Sequence, residues 1–279
     1  MSHTETKGTL FSCLGELCWY LAGRNDLASI EYYLPRYVDS ADDGIVHGGY
    51  GPRMLKWRGF NQLANVIECL KRKDSRQAVV QLFDAADIQE PKKRDVPCTC
   101  TLQFLSRRRQ LSMLASLRSN DVFWGLPHDV FCFTMLQELV AKQMGLELGP
   151  YKHVVGSLHL YAQQAPKAQQ YLEEGWQPTD VRMPPMPDGD PWPALRLLLA
   201  SEEAIRKGTK LPNVDSLAPY WRDLVRLLEI YGCYKRKDWS GMAEFAERLH
   251  SEVYKPLVAK KLGFEMRDSG SAERQDPIA

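Results

Sequence analysis

Pro97-Cys98-Thr99-Cys100, then Leu117-Arg118-Ser119-Asn120-Asp121, then Gly125-Leu126-Pro127-His128-Asp129 follow one another within residues 97–129 and fix the order strand, turn, strand, helix. Residues 100–105 and 111–117 alternate well enough to pair as a hairpin closed by a turn at Arg107-Arg108-Arg109. Residues 130–144 carry helical periodicity through Val130, Leu136, Leu139 and Val140, with Gly145 as a stop. This layout sets a cysteine at the mouth of one strand and a guanidinium beside a hydroxyl at the end of the next. A carboxylate then stands at the start of a helix. A thiolate at Cys98 suits attack on an electron-poor ring carbon, and Arg118 is placed to lower its pKa. A lone cysteine at a strand start is more often just a small apolar residue; here its neighbours favour the nucleophile. Arg118 and Ser119 together suit a dianionic phosphate.

Working outward, residues 154–161 read as a strand with Ser157, His159 and Tyr161 on one face and Leu158 and Leu160 on the other. A face of hydroxyl, imidazole and phenol suits a wet cavity and sugar hydroxyls. Asp129 is expected at the start of its helix, either as an N-cap or as a carboxylate facing a heterocycle. Residues 10–22 are apolar around most of a helical circumference, which leaves Glu16 out of place. A buried glutamate must be paired or have its pKa raised, and such a group can relay protons. Residues 30–37 suggest a short helical piece, residues 43–52 a glycine-rich loop, and residues 60–72 a helix with Leu63, Ile67 and Leu70 on one face. Asp74-Ser75-Arg76 ends that helix before an apolar strand at residues 78–83, making Arg76 a second candidate phosphate ligand.

Past Tyr161 the character changes. Met183-Pro184-Pro185-Met186-Pro187-Asp188-Gly189 punctuates a linker, and amphipathic helical stretches follow at residues 192–207, 217–231 and 239–262. The expected division is a catalytic core over residues 1–180, a helical extension over 181–265 and a polar, disordered tail over 266–279. The fold class is α+β, a mixed sheet packed with helices and extended by helices at the C-terminal end.

Composition removes several classes of function. The 279 residues suffice for a substantial core. A net charge of +1 gives no overall footprint for nucleic acid, and the triple arginine reads as a solvated turn. No segment is apolar over the roughly 18 residues needed to span a membrane. The N-terminus lacks a secretory layout, and seven scattered cysteines suit free thiols in a reducing cytoplasm. Cys98 and Cys100 lack the second ligand pair that a metal site requires.

The chain resembles the thymidylate synthase family from about Thr6 to Tyr161. The resemblance rests on Gly15-Glu16-Leu17-Cys18-Trp19, Asp74-Ser75-Arg76, Pro97-Cys98 with Gln103-Phe104, Arg118-Ser119-Asn120-Asp121, Gly125-Leu126-Pro127 and His159-Leu160-Tyr161. It implies a homodimer that uses 5,10-methylenetetrahydrofolate to place a one-carbon unit on carbon 5 of a pyrimidine nucleoside monophosphate. By the same resemblance Cys98 adds to carbon 6 and Glu16 organises water and moves protons. Arg118 and Ser119 hold phosphate with Arg76 reaching across the dimer, and His159 and Tyr161 hold the sugar. Asp121 and Gly125 fall on the folate side, and Tyr50 lines the cavity. The family's N-terminal phosphate-binding arginine loop has no counterpart ahead of Glu16, and Thr99 stands where synthases carry histidine.

Asp129 is the departure that matters, because synthases acting on uracil carry asparagine there. A carboxylate suits cytosine's exocyclic amine and, when it shares a proton, the ring nitrogen. The same aspartate marks dCMP hydroxymethylases of the T-even phage type, which the Arg118–Asp121 and Gly156–His159 segments also resemble. The expected activity is therefore 5-hydroxymethylation of dCMP or CMP. C5-methylation of cytidylate or uridylate is the alternative enzyme, and a non-catalytic nucleotide-binding relative the alternative outside catalysis.

Overall fold

The computed structural model describes residues 9–72, 74–89, 93–175, 182–259 and 261. Helix α1, Thr9–Leu21, is buried on nearly every side, as its apolar circumference requires. A Cβ on Gly15 would lie 2.2 Å from the Tyr33 ring, so only glycine lets this helix seat against the following segment. Helix α2, Leu27–Ile30, is capped by Asp26, whose carboxylate accepts the Ser29 N–H at 2.9 Å. The helical piece expected at residues 30–37 is not continuous. Leu34 precedes a proline, which disfavours helical backbone there, and a 3-10 turn over Pro35–Ser40 follows.

The expected glycine-rich loop gives way at Tyr50 to α3, Tyr50–Leu55. Buried Arg53 fastens this region by donating to the carbonyls of His47 and Leu82 and pairing with Asp87 at 2.7 Å. Helix α4, Gln62–Leu70, buries Leu63, Ile67 and Leu70 as its periodicity predicts. Strand β1, Val79–Gln81, then pairs antiparallel with β2, Thr99–Arg107, which pairs antiparallel with β3, Gln110–Leu117. Arg108 and Arg109 form the hairpin turn, both at positive φ. Leu102 and Phe104 of β2 face the core with Leu111, Met113 and Ala115 of β3.

A two-residue strand β4, Asn120–Asp121, leads into α5, Gly125–Gln143. This helix starts earlier than its periodicity suggests. The Asp121 carboxylate accepts the N–H groups of Phe123, Trp124 and Gly125 and so serves the helix start. Asp129 is therefore not the cap; it lies one turn inside, on the buried side.

The strand expected at residues 154–161 is two strands, β5, Glu147–Val155, and β6, Leu158–His159. Gly149 and Pro150 obscured β5 up to His153; it runs parallel to β3, while β6 pairs parallel with β4. The sheet order is β1-β2-β3-β5. Helix α6, Ala165–Glu173, has no buried residue.

The C-terminal helices are α7, Trp192–Lys207, α8, Pro219–Arg236, and α9, Trp239–Glu247. The expected helix at 239–262 breaks after Glu247, and residues 260 and 262 lie outside those described. So does the expected tail at 266–279. Helices α7 and α8 share one core with α1. Tyr231 of α8 stacks on Phe11 and Tyr33 at centroid separations of 5.6 and 5.1 Å, and Tyr33 donates to Glu202 of α7 at 3.1 Å. The Met-Pro segment docks as well, with the Met186 N–H donating to Glu138 of α5.

Because α8 supports the helix that carries Glu16, Tyr231→Ala should cost about 3 kcal/mol of stability. Urea denaturation followed by far-UV circular dichroism checks this. One cooperative transition moved to lower urea is expected, rather than separate melting of the C-terminal helices.

Candidate active site

A cavity of about 580 Å³ opens between α1, the 3-10 turn, the start of α3, the β2 mouth and the start of α5. Its size suits a drug-sized ligand or larger. Glu16, Tyr50, Cys98, Asp121, Gly125, Asp129, His159 and Tyr161 line it, so eight of the eleven residues singled out from sequence converge there. Arg118, Ser119 and Arg76 do not line it. The Arg118 guanidinium lies beside the nucleophile segment, donating to the Val96 and Pro97 carbonyls at 2.8 and 2.9 Å and sitting 3.8 Å from the Cys98 sulfur. Ser119 Oγ meets His159 Nδ1 at 3.4 Å. Arg76 is exposed, and its carbonyl accepts from Gln103.

Cys98 is half-buried, directly ahead of β2. Burial pushes its thiol above the ordinary range, and Arg118 only partly offsets this, so the expected lowering is not found. Tyr50 holds the strand mouth behind the sulfur. Its oxygen accepts from the Thr99 N–H at 3.2 Å and the Thr99 hydroxyl at 3.0 Å. Thr99 thus has a local use in locking the backbone next to Cys98.

Glu16 is almost fully buried, and Tyr20 and Tyr37 both donate to its Oε1, at 2.9 and 2.5 Å. Burial pushes both phenols up, so they remain donors. Oε2 has no partner among the described residues. A buried carboxylate oxygen left unpaired beside a cavity suits a bound water or a transferable proton.

Asp129 faces Glu16 from α5. Burial first, and the Glu16 charge second, raise its carboxyl to about 8, so it carries a proton at neutral pH. Asn120 Nδ2 donates to Asp129 Oδ2 at 2.7 Å. A Cβ on Gly125 would come within 2.9 Å of that same amide nitrogen, so glycine makes room for the pair. Behind it, His153 Nε2 lies 3.1 Å from Asn120 Oδ1, and Tyr151 Oη lies 2.6 Å from His153 Nδ1.

Sequence reasoning missed several lining residues. Arg36 stands 5.1 Å from the Trp124 ring centre, with Lys167 at 5.8 Å, so two cations flank an aromatic wall. Asp95 lies three residues before Cys98 with its carboxyl pushed up by burial, packed where a Cβ on Gly48 would collide at 2.3 Å. The Gly48-Gly49 pair was the available signal for Asp95, since adjacent glycines mark close approach.

A half-buried thiol, two buried carboxyls, an imidazole and several phenols thus gather around one cavity. Residues 3–185 match the family model described as thymidylate synthase, and the chain belongs to that family. It is 35% identical over 162 residues to the deoxyuridylate hydroxymethyltransferase of Pseudomonas phage M6, covering 56% of this chain and 46% of that protein. Its identity to the protein of the same name in Delftia phage PhiW-14 is 34% over 169 residues, with the same coverage. The chain therefore spans about half the length of the curated relatives it matches. The crystal structure of thymidylate synthase from T4 phage superposes with a TM-score of 0.52 at 23% identity, over 61% of this chain and 64% of that one. That likeness shows the α+β fold of the family.

Because Asp129 keeps its proton in the folded state, its contribution to stability is full below the ordinary carboxylate pKa, near 4. It is lost as pH rises towards about 8. Asp129→Asn keeps an oxygen for the Asn120 amide and removes this loss. Its thermal midpoint should exceed the wild type at pH 8, by on the order of a few kcal/mol in stability. The gap should close towards pH 4 in a calorimetric pH series.

Proposed function

We propose that the chain is a folate-dependent cytidylate 5-hydroxymethylase acting on dCMP or CMP. The observation that carries the proposal is the neutral, buried carboxyl of Asp129, held by Asn120 at the wall of the cavity that also contains Cys98. A neutral carboxyl offers one O–H donor and one acceptor oxygen. Cytosine presents the complement, with N3 accepting and the exocyclic amine donating.

In this reading the Cys98 sulfur bonds to carbon 6 as its S–H bond breaks, the proton passing through cavity water to the Glu16 carboxylate, whose Oε2 is open. The ring electrons move to N3, which takes the proton of Asp129, and carbon 5 becomes nucleophilic. The raised thiol pKa means that addition and proton transfer are best coupled, so that neither a free thiolate nor a free N3 anion accumulates. When bound, 5,10-methylenetetrahydrofolate supplies the one-carbon unit, and the aromatic wall at Trp124 with Asp121 and Gly125 suits its ring system. Glu16, with Oε2 open, holds the water that distinguishes a hydroxymethyl from a methyl product. His159 and Tyr161, in edge-on ring contact at 5.0 Å, hold the sugar. Arg118 and Ser119 hold phosphate once Arg118 turns from the carbonyls it now contacts. Arg76 joins from a second subunit docked on the outer sheet face, where Val79 and Val154 are exposed.

A second reading takes deoxyuridylate as substrate, favoured by the names of the two phage relatives. Tritium release from carbon 5 of dCMP, CMP and dUMP, with product masses, separates the two. Release from a cytidylate with a hydroxymethyl product is expected; release from dUMP alone would overturn the base assignment. Cys98→Ala should abolish release from every substrate while leaving nucleotide binding within about threefold. Asp129→Asn should lower kcat/KM for cytidylate by at least about 10²-fold and raise it for uridylate. Cytidylate turnover should fall as pH rises through about 8, because that limb reports loss of the Asp129 proton.

A further inference from the structure

Behind Asp129 runs a chain of side chains that ends away from the cavity: Tyr151, His153, Asn120, Asp129. The separations are 2.6 Å from Tyr151 Oη to His153 Nδ1, 3.1 Å from His153 Nε2 to Asn120 Oδ1, and 2.7 Å from Asn120 Nδ2 to Asp129 Oδ2. Tyr151 and His153 are half-buried on β5, two residues apart and so on one face, whereas Asn120 is buried at the β4 edge. None of Tyr151, His153 and the Asn120 amide oxygen is needed by the chemistry proposed for the cavity.

The donors and acceptors in this chain are mutually dependent. With Asn120 Nδ2 turned to Asp129, Oδ1 faces His153, and an oxygen can only accept, so Nε2 carries the imidazole proton. Burial keeps His153 neutral, which leaves Nδ1 to accept the Tyr151 hydroxyl. Asp129 Oδ2 is then an acceptor, and the carboxyl proton resides on Oδ1, which has no partner among the described residues.

If the Asn120 amide turns over, every bond reverses. Asp129 Oδ2–H donates to Asn120 Oδ1, Nδ2 donates to His153 Nε2, and Nδ1–H donates to the phenol oxygen. The proton of Asp129 is now held by Asn120, and Oδ1 only accepts. The first arrangement presents a donor that matches N3 of cytosine. The second presents an acceptor that matches the N3–H of uracil. A phenol is a better donor than acceptor, so Tyr151 favours the first.

We propose that His153 is a specificity-determining positioning residue whose tautomer, biased by Tyr151, holds the Asn120 amide so that Asp129 selects cytosine over uracil. This rests on the reading of Asp129 as the base-recognising group, and its test is made independent of turnover. Calorimetric titration of the full chain with dCMP and with dUMP gives the ratio of their Kd values. His153→Gln retains an N–H for Asn120 Oδ1 and should keep that ratio within about threefold of wild type. His153→Leu leaves the amide free to turn and should move the ratio about tenfold or more towards uracil, the scale of one hydrogen bond. An unchanged ratio in a folded Leu variant, or equal shifts in both variants, overturns the proposal. Should the Leu variant not fold, Tyr151→Phe decides: a shift towards uracil supports the relay, and an unchanged ratio overturns it. Wild-type protein that binds dCMP in preference but releases no tritium would sink the hydroxymethylase reading alone. Wild-type preference for dUMP would sink both.

Discussion

Two carboxyl groups, Glu16 on α1 and Asp129 on α5, are shut into one low-dielectric cavity, and they cannot both be charged at small cost. The fold resolves the conflict by giving them different surroundings. Glu16 receives two phenolic donors on one oxygen, whereas Asp129 receives a single amide and faces the Glu16 charge. Burial first, and the Glu16 charge second, outweigh the Asn120 hydrogen bond, so Asp129 keeps its proton.

Much of the surrounding structure serves that arrangement. Gly15 lets α1 approach Tyr33, and Tyr33 with Tyr231 and Glu202 binds α1 to the C-terminal helices. Gly125 leaves space for the Asn120 amide, and Asp121 starts α5 so that Asp129 falls one turn inside it. Thr99 and Tyr50 secure the strand mouth that carries Cys98. Stability and chemistry are opposed here, because the same burial that keeps Asp129 protonated also destabilises the folded state as pH rises.

The hairpin and the helix faces were legible in the sequence, because alternation, periodicity and turn chemistry are local; of the eight cavity residues, Tyr50, Asp121 and Gly125 came only through the family resemblance. The strand at Glu147–Val155 was legible only at its last residues, Val154 and Val155, since Gly149 and Pro150 imitate a loop. The start of α5 was misplaced because its cap comes from Asp121, four residues ahead of the first helical position rather than next to it. Arg36 and His153 were invisible, as each reaches the site or its support from a segment with no chemistry of its own in sequence, whereas Asp95 left only the indirect signal of Gly48-Gly49.

Residue order alone fixes which groups are available: one thiol after a proline, an acid in an apolar helix, an aspartate at the position where an amide is usual. It also determined the family, because ordered motifs survive without coordinates. The protonation of Cys98 and Asp129 follows from the folded packing. A pKa depends on burial and on charges brought close by folding, so Cys98 is held up despite Arg118, and Asp129 becomes a donor. The tertiary structure also decided that Tyr151, His153 and Asn120 stand in line behind that donor, since the bond between His153 and Asn120, 33 residues apart, exists only because β5 packs beside β3 and the β4 segment that follows it.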